Sequence, residues 1–115
     1  MTKYASKKVV IDGISFDSKR EAARYRELLL LQKAGKVAGI TLQVPFVLAP
    51  AVKFEGSKRT KPAIRYFADF VYTDCELGKI IVEDVKSPVT AKLAAFVIKR
   101  HLMLSVHGID LRITT

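Results

Sequence analysis

The chain has 115 residues, half of them apolar, with 20 Lys and Arg against 11 Asp and Glu and a formal charge of +9. This length suits one domain, 1–115, with its own core and is too short for two. No apolar run reaches the roughly 18 residues of a membrane span and no signal peptide opens the chain, so no membrane partner is expected. The lone Cys75 excludes a disulfide framework and a cysteine zinc site, and fits a reducing, cytoplasmic compartment. The positive excess suits a polyanion, with nucleic acid the first candidate, because each neutralised phosphate releases counterions.

Val9-Val10-Ile11 and Ile14-Ser15-Phe16 flank Asp12-Gly13, the pair that favours a type I′ turn, and predict a short hairpin. Ser18 and Glu21 have capping-box spacing and predict a helix running to about Ala34, stopped by Gly35. Its apolar face is expected to carry Ala22, Tyr25, Leu28, Leu29 and Gln32. Residues 40–49 read as a strand, and Pro45 makes it an edge or a bulged strand because proline cannot donate to a ladder. Residues 53–62 read as a mobile basic loop around Gly56-Ser57, in which Lys58, Arg59 and Lys61 are expected to touch DNA backbone. Strands follow at about 64–74 and 79–86, then a break at Pro88, a helix over about 91–105, and a strand from Ile109 to Thr114. The order predicts an α/β or α+β domain with one mostly mixed central sheet flanked by helices.

Parity in the central hairpin places its chemistry. Ile80, Val82, Asp84 and Lys86 share one side of their strand, and Ile81, Glu83 and Val85 the other. Phe67, Asp69 and Val71 share a side of the preceding strand. If Asp74 pairs with Lys79 across a four-residue loop, Asp69 lies directly opposite Asp84. Like charges at the roughly 4.5–5.5 Å of directly opposed Cβ atoms destabilise a sheet unless a counter-charge meets them. A divalent cation such as Mg²⁺ or Mn²⁺ would do so, with Lys86 reaching toward a phosphate or an attacking water. The alternative is a solvated pair of aspartates with Lys86 as an ion partner. A bulge would change the register and bring Glu83 inward in place of Asp84.

Asp69 followed by Asp84-Val85-Lys86 resembles the PD-(D/E)XK nuclease superfamily. The resemblance extends in order through most of the chain. Asp17-Ser18-Lys19-Arg20-Glu21 with Arg24-Tyr25 resembles the opening helix of phage and Holliday junction resolvase-like members, and Gln43-Val44-Pro45-Phe46 their Gln-x-Pro strand. Lys99-Arg100-His101-Leu102 resembles the basic segment after the core motif. Ala68 stands in place of the motif's proline, and Ser87 where relatives often carry glycine. The resemblance implies a restriction-endonuclease-like core and a Mg²⁺- or Mn²⁺-dependent endonuclease. Asp69, Asp84 and Glu21 would then be metal ligands and Lys86 would orient the nucleophilic water. A phage-encoded member would act in the host cytoplasm, in recombination, replication or packaging.

Glu21 also has a local explanation as a capping-box glutamate. Gln43 and Glu83 are candidates for supporting the site, with Glu83 expected on the opposite face. Lys99 and Arg100 are either a solvated helix face or phosphate contacts, and Arg65 joins the DNA-binding set if it faces the same groove. His101 and His107 are expected to be structural or surface residues. A nuclease that cuts both strands is expected to be a homodimer, since one site cuts one strand. The competing functional readings are a non-catalytic basic DNA-binding protein with a nuclease-like fold and, more weakly, a basic protein-binding module.

Overall fold

A computed structural model describes residues 8–115. The Asp12-Gly13 pair closes the hairpin of β1 (Val9–Ile11) and β2 (Ile14–Phe16), with φ of 50° and 79° as a type I′ turn requires. Ser18 then caps α1 (Lys19–Lys33), its hydroxyl accepting from the Glu21 amide at 3.1 Å. Gly35 leaves the helix with φ of 76°. The inward face of α1 carries Glu21, Ala22 and Leu28, with Arg24, Tyr25 and Leu31 half-buried; Gln32, expected on that face, is exposed.

The larger sheet comprises β3 (Val37–Ala49), β4 (Ile64–Asp74), β5 (Lys79–Val85) and β6 (Arg112–Thr114) in that order. β3–β4 and β4–β5 are antiparallel and β5–β6 is parallel, so the sheet is mixed and the domain is α+β. Pro45 lies opposite Phe67 on β3, which is an edge strand and is irregular as well. β6 is half the expected length; residues 109–111 before it lie outside any strand. Pro88 does more than break the chain: it opens a short helix, α2 (Pro88–Ala91), with Ser87 as its cap. α3 follows (Ala94–His107), ending at Gly108 in the left-handed region, and carries the chain across to β6.

Two apolar clusters sandwich the sheet. Phe16, Ala22, Leu28, Phe70, Tyr72 and Ile81 pack with α1, while Leu48, Tyr66, Ala68, Val82, Phe96 and Met103 pack with α3. The parity expected in β5 holds, since Ile81 and Val82 belong to different clusters. In β4 it breaks. Tyr66 and Ala68 belong to the α3 cluster, but Phe70 and Tyr72, of the same parity, belong to the α1 cluster. Ala68, Asp69 and Phe70 are consequently buried in succession, and Phe67 and Val71 do not share the environment that simple alternation assigns them. The faces exchange at Asp69, where the two cores meet.

Beyond that point the β3–β4 ribbon continues as an arm. Its loop is not the unstructured segment expected: Val52 and Lys61 bridge its base with backbone bonds of 3.1 and 2.6 Å, and Ser57 closes a turn onto Phe54. Among the described residues, no helix is long and apolar enough to cross a membrane.

Candidate active site

Asp74 pairs with Lys79 and the register runs unbroken to Phe70–Glu83, so the next opposed pair is Asp69 and Asp84. There the ladder opens, and Asp69 replaces it with a side-chain bond: Oδ2 accepts from the Val85 amide at 2.8 Å. Both aspartates are buried, at 9 % and 1 % exposure, so they are not the solvated pair of the alternative reading. Lys86 supplies the nearest positive charge, with Nζ 2.7 Å from Asp84 Oδ2 and 5.0 Å from the centroid of the Phe96 ring. The contact lacks hydrogen-bond angles, which leaves Asp84 Oδ2 buried without a hydrogen bond among the described residues.

α1 delivers a third carboxylate. Glu21 is buried in the first turn, one turn before Arg24, and Arg24 is held by a fork of bonds to Glu83. Glu83 points to the α1 side, as parity requires, and is fully enclosed, taking Nε of Arg24 at 2.7 Å, Nη2 at 3.0 Å and the Tyr72 hydroxyl at 2.5 Å. It is therefore a clamp between helix and sheet, next in sequence to Asp84 and facing away from it.

Gln43 joins the two halves. Its φ of 49° is a left-handed conformation uncommon outside glycine, on the strand segment level with Asp69. From there Nε2 donates to Asp69 Oδ1 at 3.1 Å and to Glu21 Oε1 at 3.3 Å. An amide shared between carboxylates in a strained backbone is a feature that structures retain at functional sites.

The electrostatics follow from crowding acids in a dry place. Burial first, and the Asp84 charge second, push the Asp69 carboxyl up to about 7. Burial, then Asp17 and Asp84, raise Glu21, while Lys86 and the Gln43 amide oppose that rise. Burial and the Asp84 charge raise the Tyr66 phenol. Among the described residues, no three His, Cys, Asp or Glu side chains are grouped as a ready metal cage. The donor chemistry is nevertheless that of a hard-cation site: Glu21 and Asp69 share the Gln43 amide, Asp84 lies opposite Asp69, and among the described residues Asp84 Oδ2 meets only the Lys86 ammonium.

The cluster is reached from two sides. One cleft, of about 380 Å³, is lined by Asp17, Arg20, Glu21, Asp69, Lys86 and Thr90. The other, of about 290 Å³, is lined by Tyr66, Phe67, Asp84, Leu93, Phe96 and Lys99, and also reaches Asp69 and Lys86. Asp69 and Lys86 thus stand where the two clefts meet.

Of the predicted residues, Glu21, Gln43, Asp69, Asp84, Lys86 and Lys99 come together here. Arg100 does not; it lines a separate groove with Lys79 to Val82 and Gly108 to Arg112. Arg65 lies four residues from Asp69, roughly 13 Å along the strand. Lys58, Arg59 and Lys61 lie farther still, exposed on the arm's loop. His107 is structural, bonded through Nε2 to the Val47 carbonyl at 2.7 Å, and His101 is exposed. Sequence reading missed Arg20, Thr90, Tyr66 and Phe67. Arg20 had a signal, being adjacent to Glu21 inside the capping segment.

Residues 1–114 match the model of a family described as "Protein of unknown function (DUF1064)". Comparison with curated proteins and with solved structures gives no match to either.

Proposed function

This chain belongs to the DUF1064 family, and we propose that it is a metal-dependent endodeoxyribonuclease built on a PD-(D/E)XK-like core. The observation that carries the reading is the burial of Asp69 beside Asp84, with Lys86 2.7 Å from Asp84 and Glu21 tied to Asp69 through one amide. Buried acids with a raised carboxyl value, set in a cleft of a basic protein, suit the holding of a cation and a phosphate. Asp69, Asp84 and Glu21 would hold Mg²⁺ or Mn²⁺, which when bound would acidify a water and offset charge on the scissile phosphate.

The chain's own groups do the rest. Gln43 holds Glu21 and Asp69 in one orientation, and the Val85 amide holds the other Asp69 oxygen. Lys86, steadied over Phe96, keeps its ammonium at the junction of the clefts, where it orients the attacking water or meets phosphate charge. Lys99 and Arg20 lie on opposite sides of that point and suit the flanking phosphates. Lys58, Arg59, Lys61 and Arg65 on the arm suit backbone contact farther along the DNA. Cutting of both strands would require a homodimer. Junction or flap DNA in phage recombination or replication is the proposed setting, in the host cytoplasm.

One observation favours a second reading. Lys86 already neutralises Asp84, with Nζ 2.7 Å from Oδ2, which suits a basic DNA-binding protein that does not cut. Labelled duplex, single-stranded, flap and four-way-junction DNA incubated with Mg²⁺, Mn²⁺ or EDTA separates the two. Metal-dependent cutting that Asp84→Asn abolishes supports the nuclease. Salt-sensitive binding without cutting in either metal transfers the assignment to the binding protein.

A further inference from the structure

The two clefts that meet at Asp69 and Lys86 differ in chemistry. The cleft beside α1 is polar, walled by Asp17, Ser18, Arg20, Glu21, Ser87 and Thr90. The cleft beside α3 is aromatic and aliphatic, walled by Tyr66, Phe67, Leu93 and Phe96, with Lys99 as its remaining cation apart from Lys86. Phe67 is 49 % exposed although it sits on a strand within a residue pair of a buried carboxylate. The cost of leaving that ring in water is not offset by any aromatic partner among the described residues. Among the described residues, the Tyr66 hydroxyl, in a residue 4 % exposed, makes no well-formed hydrogen bond, and the Asp84 carboxylate is the charge beside it.

Resting on the nuclease reading, we propose that this second cleft receives one unpaired nucleobase next to the scissile phosphate, stacked on Phe67. The substrate is then DNA with an unstacked or unpaired nucleotide at the cut, not continuous duplex. The cleft's size favours this occupant. At about 290 Å³ it lies just below the usual range of small-molecule sites and suits a single ring system, whereas a base inside a duplex cannot leave its stack without cost. The charge arrangement favours it too. Lys99 and Lys86 border the apolar walls and match the phosphates on either side of an extruded nucleotide. A π-face accepts any base, so stacking on Phe67 gives selectivity for unpaired position without reading sequence.

The test uses the whole chain in EDTA, so that it does not depend on cutting. Two duplexes carry the same 2-aminopurine, in one case paired and in the other as a single-nucleotide bulge. The wild type is expected to bind the bulged duplex about tenfold more tightly and to quench its fluorescence by stacking. In Phe67→Ala the preference falls below about twofold and the quench disappears, whereas Phe67→Tyr retains both. Leu77→Ala, in the far turn of the β4–β5 hairpin, also retains both. Equal binding of the two duplexes by the wild type, or an intact preference and quench in Phe67→Ala, overturns the proposal. The bulge preference in a protein that cuts nothing with Mg²⁺ or Mn²⁺ would sink the nuclease reading and leave the base cleft standing.

Discussion

Arg24 on α1 grips Glu83 on β5 through two nitrogens, 59 residues away in sequence, at 2.7 and 3.0 Å. The carboxylate is fully enclosed and the arginine side chain is half-buried, with exposures of 0 % and 16 %. Glu83 precedes Asp84 and Arg24 follows Glu21 by about one turn, so the pair sets the distance between two members of the acidic cluster. Arg24→Ala leaves a charge buried without its partner, which costs about 3 kcal/mol or more. Urea unfolding of that variant is expected to show the loss. Arg24→Lys recovers only part of it, because an ammonium cannot form the fork. A midpoint within experimental error of the wild type in Arg24→Ala would show that the clamp carries no net stability.

Lys86→Ala removes the ammonium at the junction of the clefts. Cleavage in Mg²⁺ is expected to fall by about 100-fold or more, while the slope of log affinity against log salt in EDTA changes by about one unit. Cutting at the wild-type rate would remove Lys86 from the mechanism.

Asp69 makes stability depend on pH. Its carboxyl is held at about 7, first by burial and then by Asp84, so the folded chain keeps a proton that the unfolded chain has released. The stabilisation is fully present below the ordinary aspartate value near 4 and is lost as pH rises through about 7. In EDTA the wild type is expected to lose about 1–3 kcal/mol between pH 5 and pH 8. Asp69→Asn flattens that decline while still accepting from the Val85 amide. Parallel curves for the two proteins would assign the pH dependence elsewhere.

Gln43 combines backbone strain with two side-chain bonds, and two variants separate them. Both Gln43→Ala and Gln43→Gly lose the amide that links Glu21 to Asp69. Glycine alone relieves the left-handed backbone, so it is expected to be about 1 kcal/mol more stable than the alanine variant. Equal stability would mean that the strand relaxes once the amide is gone. Nuclease activity is expected to fall in both, because the carboxylates lose their common tether.

Divalent cation gives an independent reading of the acids. If Glu21, Asp69 and Asp84 bind Mg²⁺ only when folded, the melting temperature rises with its concentration, as ligand binding to the native state requires. Asp84→Asn is expected to lose that rise. A melting temperature unmoved by Mg²⁺ and Mn²⁺ across the millimolar range would argue against a metal at these residues.

Much of the local structure was legible in the sequence because its causes are local. Asp12-Gly13 specifies its turn, Ser18 with Glu21 starts α1, and Pro45 confines β3 to an edge. The four-residue Cys75–Gly78 connection sets the register that brings Asp69 level with Asp84. Alternation in β5 separated Glu83 from Asp84 correctly. It failed in β4, since the exchange of faces at Asp69 arises from the path of a long ribbon between two cores. Arg100 was grouped with Lys99 by adjacency, yet neighbours on a helix point about 100° apart, and only Lys99 reaches the cleft.

The sequence by itself determined the α+β order of elements, the opposed aspartates and the lysine two residues beyond, because turn chemistry and strand parity act within a few residues. The family resemblance placed Glu21 and Gln43 near them, but only the tertiary structure decided that one Gln43 amide bridges Glu21 and Asp69 and that Arg24 locks α1 to β5. Those contacts span 22 to 59 residues. Their geometry depends on how a helix lies across a twisted sheet, which no local pattern encodes. The burial that lifts Asp69 to about 7 belongs to the same level, since it exists only once two cores close on either side of the hairpin.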